Sequence, residues 1–412
     1  MGHRIAALMA FSLLTTPALG APTDSSSSPL LQLQAYLAKE PAQRGEIAAQ
    51  PFAKAPLTRA DAEAARKLLI ADWRRRLQKE RAAELAAGEI TIGKQTMPIF
   101  YKTFGEKPVG GRSLFISMHG GGNAPSEVND QQWQNQQSLY EPAEGVYVAP
   151  RAPSDTWNLW HEEHIDGLFE RLIQDMILVE EVDPNRVYIM GYSAGGDGVY
   201  QLAPRMADRL AAAAMMAGHP NETSPLGLRN IGFTLHMGEL DDAYDRNQIA
   251  GEWRDKLAAL QKADPDGYRH HVEIHPGKGH WMGREDAKAV EWMSEFTREP
   301  FPKRIVWKQD DVTHPRFYWL AVAPEHAKER TELRAGIDGQ VIRLESSDVP
   351  AVIVRVSDEM VDLDEPVRIV VGERTAFAGM IPRTIGMMAR SLAERGDPGM
   401  VFSGEAKVDL QP

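Results

Sequence analysis

Between Gly111 and Arg298 the chain alternates short apolar runs with longer segments of helical spacing, and this alternation restricts the fold more than any other feature. The runs SLFISMHG, GVYVAP, RVYIMGYS, AAAAMMAG, GFTLHMG and HHVEIHPG are largely apolar or β-branched and are closed by Gly or Pro. Between them, DGLFERLIQDMILVEE and RNQIAGEWRDKLAALQK repeat apolar residues at the period of a helix. Strand and helix alternating at this pitch predict an α/β architecture, a mostly parallel sheet wrapped by helices.

The flanking segments have a different texture. MGHRIAALMAFSLLTTPALG places Arg4, an apolar run from Ile5 to Leu14 and the small residues Ala18-Leu19-Gly20 in the order of a secretory signal. Its apolar run is too short to span a bilayer, so residues 1–20 are expected to be a signal peptide cleaved after Gly20, with no transmembrane segment left in the mature chain. Export to the bacterial periplasm or medium follows. The absence of cysteine means that stability there must come from the core and not from disulfides. Residues 21–54 read as a flexible, partly helical lead that begins with the polar tether TDSSSSP. Thr58 with Asp61 three residues later then opens an amphipathic helix ending near Gly88, and the α/β domain is expected over residues 55–300. After Pro302, RIVWKQ, RFYWLAVAP, GQVIRLES, AVIVRVSDEM, PVRIVVGE and TAFAGMI alternate in the manner of strands, with TIGMMARSLAERG the one helical stretch. Residues 301–412 therefore read as a small β-rich module, a sandwich in outline.

Within this frame, RVYIMGYSAGGDGV stops an apolar run at Ser193, between Gly191 and Gly195. A G-x-S-x-G at a strand-to-helix turn exposes a serine nucleophile, with glycines where strand and helix must approach closely. A serine hydroxyl needs a base and a group that orients the base, in the order Ser, Asp or Glu, His at later strand ends. GELDDAYDRN places Asp241 just beyond a strand, and HPGKGHWMG places His280 in a Gly-rich loop. Asp242 and Asp245 are the neighbouring candidates for the acid, although Asp245 is better placed to cap the helix that follows. His270, His271 and His275 lie in the strand itself and compete less well with His280 for the role of base. HGGGN, His119 to Asn123, follows the strand LFISM, so Gly121 and Gly122 together with the amide of Ala194 are the expected oxyanion donors. No Lys-Ser/Thr follows this glycine run, which argues against a phosphate cradle.

In WNLWHEEH the histidines are three apart, whereas the H-E-x-x-H zinc helix needs four, so no metal is assigned there. Trp157, Trp160 and Trp281 are the residues expected to line a substrate pocket, with ordinary core packing as their other reading. The net charge of −12, with no dense basic stripe, excludes a nucleic-acid backbone as the main partner.

Together HGGGN, NDQQWQNQ, APRAPSDTWNLWHEEHID, RVYIMGYSAGGDGVYQLAPRMADR, AGHPNE and GELDDAYDRN resemble secreted α/β-hydrolases of the polyhydroxybutyrate-depolymerase-like and dienelactone-hydrolase-like groups, predicted esterases. The resemblance covers about residues 55–300, and the later β module looks like one attached to such hydrolases. It implies an α/β-hydrolase fold with Ser193 as nucleophile, Asp241 as acid and His280 as base.

The expected activity is that of an exported serine carboxylic-ester hydrolase that works through an acyl-enzyme on a small-molecule or polymeric ester and requires no cofactor. Only about twenty residues, Gly218 to Gly238, separate two successive strands. That leaves little room for a lid and suits a bulky ester. A serine peptidase would use the same residues. A non-catalytic carbohydrate- or surface-binding protein on a hydrolase scaffold is the reading from another class, and an intact set of nucleophile, acid, base and glycine loop argues against it.

Overall fold

The computed structural model describes residues 28–410, the side chains of Ser346 and Ser347 excepted. The expected signal peptide and most of the serine-rich tether lie outside the described residues.

Helix α1 (Pro29–Leu37) and three short 3-10 turns lead into α2 (Arg59–Ala87). The Thr58 hydroxyl accepts from Asp61 N at 3.1 Å, and Gly88 ends the helix in the left-handed region at φ 72°, as the capping signals predict. An antiparallel hairpin follows, β1 (Glu89–Ile92) and β2 (Gln95–Phe104). It has none of the apolar runs that mark the central strands because only alternate residues such as Met97 and Ile99 are buried.

The alternating region then folds as β3 (Arg112–Met118), α3 (Ser126–Gln136), β4 (Gly145–Pro150), α4 (Glu163–Val179), β5 (Val182–Tyr192), α5 (Ala194–Arg205), β6 (Ala212–Met216), β7 (Gly232–Gly238), α6 (Arg246–Ala263), β8 (His270–His275) and α7 (Lys288–Ser294). Strand order is β1-β2-β4-β3-β5-β6-β7-β8, parallel from β4 to β8. Because side chains alternate along a strand, Leu114, Ile116 and Met118 enter one core and Phe115 the other, on the opposite face of the sheet. The chain leaves β3 for β4 on one side and returns through β5 on the other. Such a reversal opens a crevice at the carboxyl ends of the strands.

The C-terminal region adds β9 (Arg304–Lys308), β10 (Arg316–Phe317), β11 (Leu320–Ala321), β12 (Glu332–Asp338), β13 (Val341–Ser347), β14 (Ala351–Val356), β15 (Val367–Val371), β16 (Arg374–Gly379), α8 (Ile385–Arg395) and β17 (Gly404–Asp409). They form two sheets, β10-β11-β14-β17 and β16-β15-β13-β12-β9, antiparallel apart from the β13–β15 pair. RFYWLAVAP, which reads as one strand, is instead folded back between β10 and β11. Tyr318 turns there with φ 49°, and its hydroxyl donates to Ala207 O at 2.9 Å, while Trp319 Nε1 donates to Pro302 O at 2.8 Å. Burying both aromatics with their polar ends satisfied outweighs one continuous strand.

Buried ion pairs tie this region to the parallel sheet: Arg209 and Arg298 both reach Asp397, at 2.9 and 2.8 Å, and Arg395 reaches Asp208 at 2.7 Å. Pairs of this kind specify a docking geometry more than they add net stability. No described helix is long and apolar enough to cross a membrane.

Candidate active site

Ser193 stands between the last residue of β5 and the first of α5 with φ 58° and ψ −121°, a backbone strain of about 1–3 kcal/mol that only the surrounding structure can hold. The surroundings explain the two glycines. A Cβ on Gly191 would lie 2.2 Å from Gly195 O, and one on Gly195 would lie 2.2 Å from Met118 O at the end of β3. Strand, helix and neighbouring strand therefore meet without side chains between them, and Ser193 N donates to Met216 O of β6 at 2.9 Å.

His280 Nε2 is 3.0 Å from Ser193 Oγ, and His280 Nδ1 is 2.7 Å from Asp241 Oδ2. Asp241 is buried, and its backbone is held by Asp241 N donating to Gly238 O and Asn247 N donating to Asp241 O, each at 3.1 Å. Arg246 Nη1 lies 3.8 Å from Asp241 Oδ1. Tyr192, beside the serine in sequence, donates its hydroxyl to His280 O at 2.6 Å and accepts from Met282 N at 3.0 Å, so it holds the histidine loop. With Nδ1 protonated toward the carboxylate, Nε2 is free to accept the serine proton.

The competing residues fall elsewhere. Asp242 and Asp245 are exposed. Asp245 does occupy the N-cap position of α6, but it sits in the left-handed region at φ 58° and its side chain makes no capping bond, contrary to the role expected of it. His275 is 1% exposed and bonds His236 and Glu285, not Ser193. His270 Nδ1 is paired with Tyr268 O at 2.8 Å.

The glycine loop requires one correction. Gly122 N donates to Asn129 Oδ1 at 2.8 Å, so this amide is already committed and does not serve as an oxyanion donor. Gly121 N and Ala194 N have no acceptor among the described residues, and both residues line the cleft beside Ser193. Asn129, which sequence reasoning did not single out, is buried and also donates to Ala124 O and Asp155 Oδ1, at 3.1 and 2.8 Å. It shapes the loop so closely that a Cβ on Gly121 would lie 2.2 Å from its Oδ1. The one trace of it is NDQQWQNQ, a polar run too amide-rich for a surface helix alone. His119 anchors the start of the loop, with Nδ1 2.6 Å from Gly120 O and Nε2 accepting from Ala152 N at 3.2 Å. Burial, opposed by the Gly120 carbonyl, pushes its imidazole down to about 4, so it is a neutral structural group.

Two clefts meet at Ser193. One of about 600 Å³ is lined by Val128, Leu139, Tyr192, Trp281 and several amide side chains; the other, of about 330 Å³, is lined by Trp157, Asp197, His219, Asn221, Tyr244 and Arg246. Trp281 and Trp157, at 55% and 59% exposure, thus sit in separate clefts. Trp160 lines neither and belongs to the core: it is fully buried, donates Nε1 to His119 O at 2.8 Å and packs against Gly198, where a Cβ would come 2.5 Å from its own. In the polar cleft, Asp197 accepts from His219 N at 2.6 Å, and burial raises its carboxyl to about 6. The Arg246 guanidinium stacks over Tyr244 at 4.9 Å.

The parallel sheet, its crevice and the strained serine turn are those of an α/β-hydrolase fold. Residues 148–295 match the model of the dienelactone hydrolase family. The matched stretch contains Ser193, Asp241 and His280 but ends short of the glycine loop at its amino-terminal side, and it supports the resemblance to the dienelactone-hydrolase-like group. Comparison with curated proteins finds no match. Among solved structures, a thermostable esterase is similar at 18% identity over 52% of this chain, with a TM-score of 0.38. The chain spans 64% of that protein's length. Esterase PE8 is similar at 20% identity over 48% of this chain and 97% of its own, with a TM-score of 0.33. S-formylglutathione hydrolase from Staphylococcus aureus is similar at 11% identity over 48% and 90%, also with a TM-score of 0.33. Superpositions this partial carry no residue role or substrate across.

Proposed function

We propose that the protein is a serine carboxylic-ester hydrolase acting through an acyl-enzyme. The observation that carries this reading is the unbroken line from Asp241 Oδ2 through both ring nitrogens of His280 to Ser193 Oγ, with contacts of 2.7 and 3.0 Å. Ser193 Oγ attacks the ester carbonyl while His280 Nε2 takes its proton. Asp241 holds the ring and stabilises the imidazolium as it forms. The tetrahedral oxyanion is received by Gly121 N–H and Ala194 N–H, which have no acceptor among the described residues. Each such donor is worth roughly 10²–10³-fold in rate. His280 then protonates the departing alkoxide, and a water activated by the same nitrogen releases the acid.

With the nucleophile between two open clefts, acyl and alcohol portions of a bulky ester extend to opposite sides. The apolar walls of the larger cleft suit one portion, and the polar groups of the smaller suit an oxygen-rich one.

The experiment is a panel of acyl p-nitrophenyl esters and peptide anilides, assayed with the parent protein and Ser193→Ala. Ester turnover by the parent, abolished in the variant, is the expected result. Ester turnover unchanged in Ser193→Ala would eliminate the serine mechanism. Anilide cleavage faster than ester cleavage would make the protein a peptidase.

A further inference from the structure

We propose that His236, Glu273 and His275 bind a single first-row divalent metal ion, of which zinc is the best fit, on the α7 side of the sheet. Glu273 and His275 are two apart on β8 and share a face, and the register sets His236 of β7 directly opposite Glu273. A ligand atom from each of the three lies within 4.8 Å of the other two. His236 Nδ1 and His275 Nε2 are 3.2 Å apart. Two imidazole nitrogens bound to one tetrahedral zinc at about 2.0–2.1 Å would be roughly 3.3 Å apart, so the observed spacing needs almost no adjustment.

The outward nitrogens are held in the way metal-bound histidines require. His275 Nδ1 lies 3.3 Å from Glu285 Oε2 and 3.9 Å from Glu273 Oε1, so Glu273 must turn from Nδ1 toward Nε2 to share the ion, and His236 Nε2 lies 3.0 Å from Thr234 Oγ1. A carboxylate or hydroxyl behind the ring fixes its tautomer and turns the other nitrogen toward the ion. Both imidazoles are buried to 1% exposure, a costly arrangement for packing alone.

Other charged groups face the cluster. Lys288 Nζ bonds Glu273 Oε1, His271 Nε2 is 3.6 Å from Glu273 Oε2, and Lys278 Nζ is 2.8 Å from Glu285 Oε1. Glu273 and Glu285 together balance a divalent charge, and the exposed Lys288 can swing away as Glu273 turns to the ion. A set of two imidazoles and one carboxylate, with water as the fourth ligand, suits zinc or cobalt better than calcium or magnesium.

The ion would act on structure, not on the ester. It joins β7 to β8 just where they pass into the loops bearing Asp241 and His280. Those loops are already joined by Glu239 N donating to His275 O at 3.0 Å and Leu240 N donating to Lys278 O at 2.8 Å.

The full-length protein, stripped with chelator, is incubated with equimolar Zn²⁺, passed through a desalting column and assayed for metal by mass spectrometry. Co²⁺ titration followed by visible absorption reports the coordination directly. One equivalent retained, with the intense d–d bands of tetrahedral cobalt, is expected. Glu273→Gln should weaken binding at least about tenfold, His236→Gln should abolish it, and His280→Ala should leave it intact. If His236→Gln does not fold, Glu273→Gln, at a partly exposed position, decides alone. No retained metal in the parent protein, unchanged affinity in Glu273→Gln, or loss of binding in His280→Ala would each overturn the proposal; in the first case His236 and His275 are simply a hydrogen-bonded pair.

Discussion

Replacing Asp241 by Asn isolates the contribution of one buried carboxylate to the proposed reaction. The change is nearly isosteric, so the packing around Asp241 survives. What disappears is a negative charge 2.7 Å from His280 Nδ1. At an effective dielectric of about 20, a unit pair at that distance is worth about 6 kcal/mol, and in bulk water about 1.5 kcal/mol. At 1.36 kcal/mol per decade this brackets the loss between about tenfold and 10⁴-fold in kcat. His280 is 44% exposed while Asp241 is almost fully buried, which places the interaction between the limits. We expect a loss of about 10³-fold. The charge matters only when the ring becomes an imidazolium, after substrate has bound, and Asp241 lines neither cleft. KM should therefore change little while kcat falls. The assay is p-nitrophenyl ester turnover under saturating and subsaturating conditions, with a thermal melt to show that the variant is folded. A loss smaller than about tenfold, or an equal loss in Asp242→Asn, would refute the assignment.

Two further outcomes follow from packing and burial. Gly195→Ala places a Cβ 2.2 Å from Met118 O, so the turn carrying Ser193 must move; the folded fraction should hydrolyse esters at least about 100-fold more slowly, and parent-like kcat would contradict the close-approach argument. Asp175 is fully buried where α2 docks on α4, and burial, followed by the charge of Glu84, raises its carboxyl above the ordinary range despite Arg81 3.5 Å away. A carboxyl raised on folding lowers stability as pH climbs from its unfolded value toward neutrality and has no effect below it. Asp175→Asn should therefore be more stable than the parent at pH 8, by on the order of 1–2 kcal/mol in urea unfolding, and equal to it near pH 4. A less stable variant at pH 8 would show that Asp175 is ionised and paired with Arg81.

Much of the site can be read along the chain because its parts are local. Gly191 and Gly195 flank Ser193 within one turn, and Asp241 and His280 each follow a strand whose apolar run is continuous. Trp160, left open between cleft and core, and Gly122, expected as a donor, were undecidable or misread for one reason: a tryptophan near the site and a glycine in the right loop are written identically whether they face the cleft or the core. Asn129 was missed because its three hydrogen bonds go to a glycine loop, a carbonyl and Asp155, a set of partners no local pattern announces. The hairpin β1–β2 escaped because it buries only alternate residues.

Sequence alone determined the α/β alternation, the strained turn and the order along the chain of the proposed nucleophile, acid and base, since periodicity and glycine placement are local consequences of backbone sterics. Tertiary structure decided which donors remain free, which tryptophans reach solvent, and that His275 joins His236 and Glu273 and not Ser193. Those outcomes depend on which strands become neighbours. The crossing from β4 back to β5 brings the glycine loop beside Ser193, and the pairing of β7 with β8 sets Asp241 against His280 across 39 residues of chain.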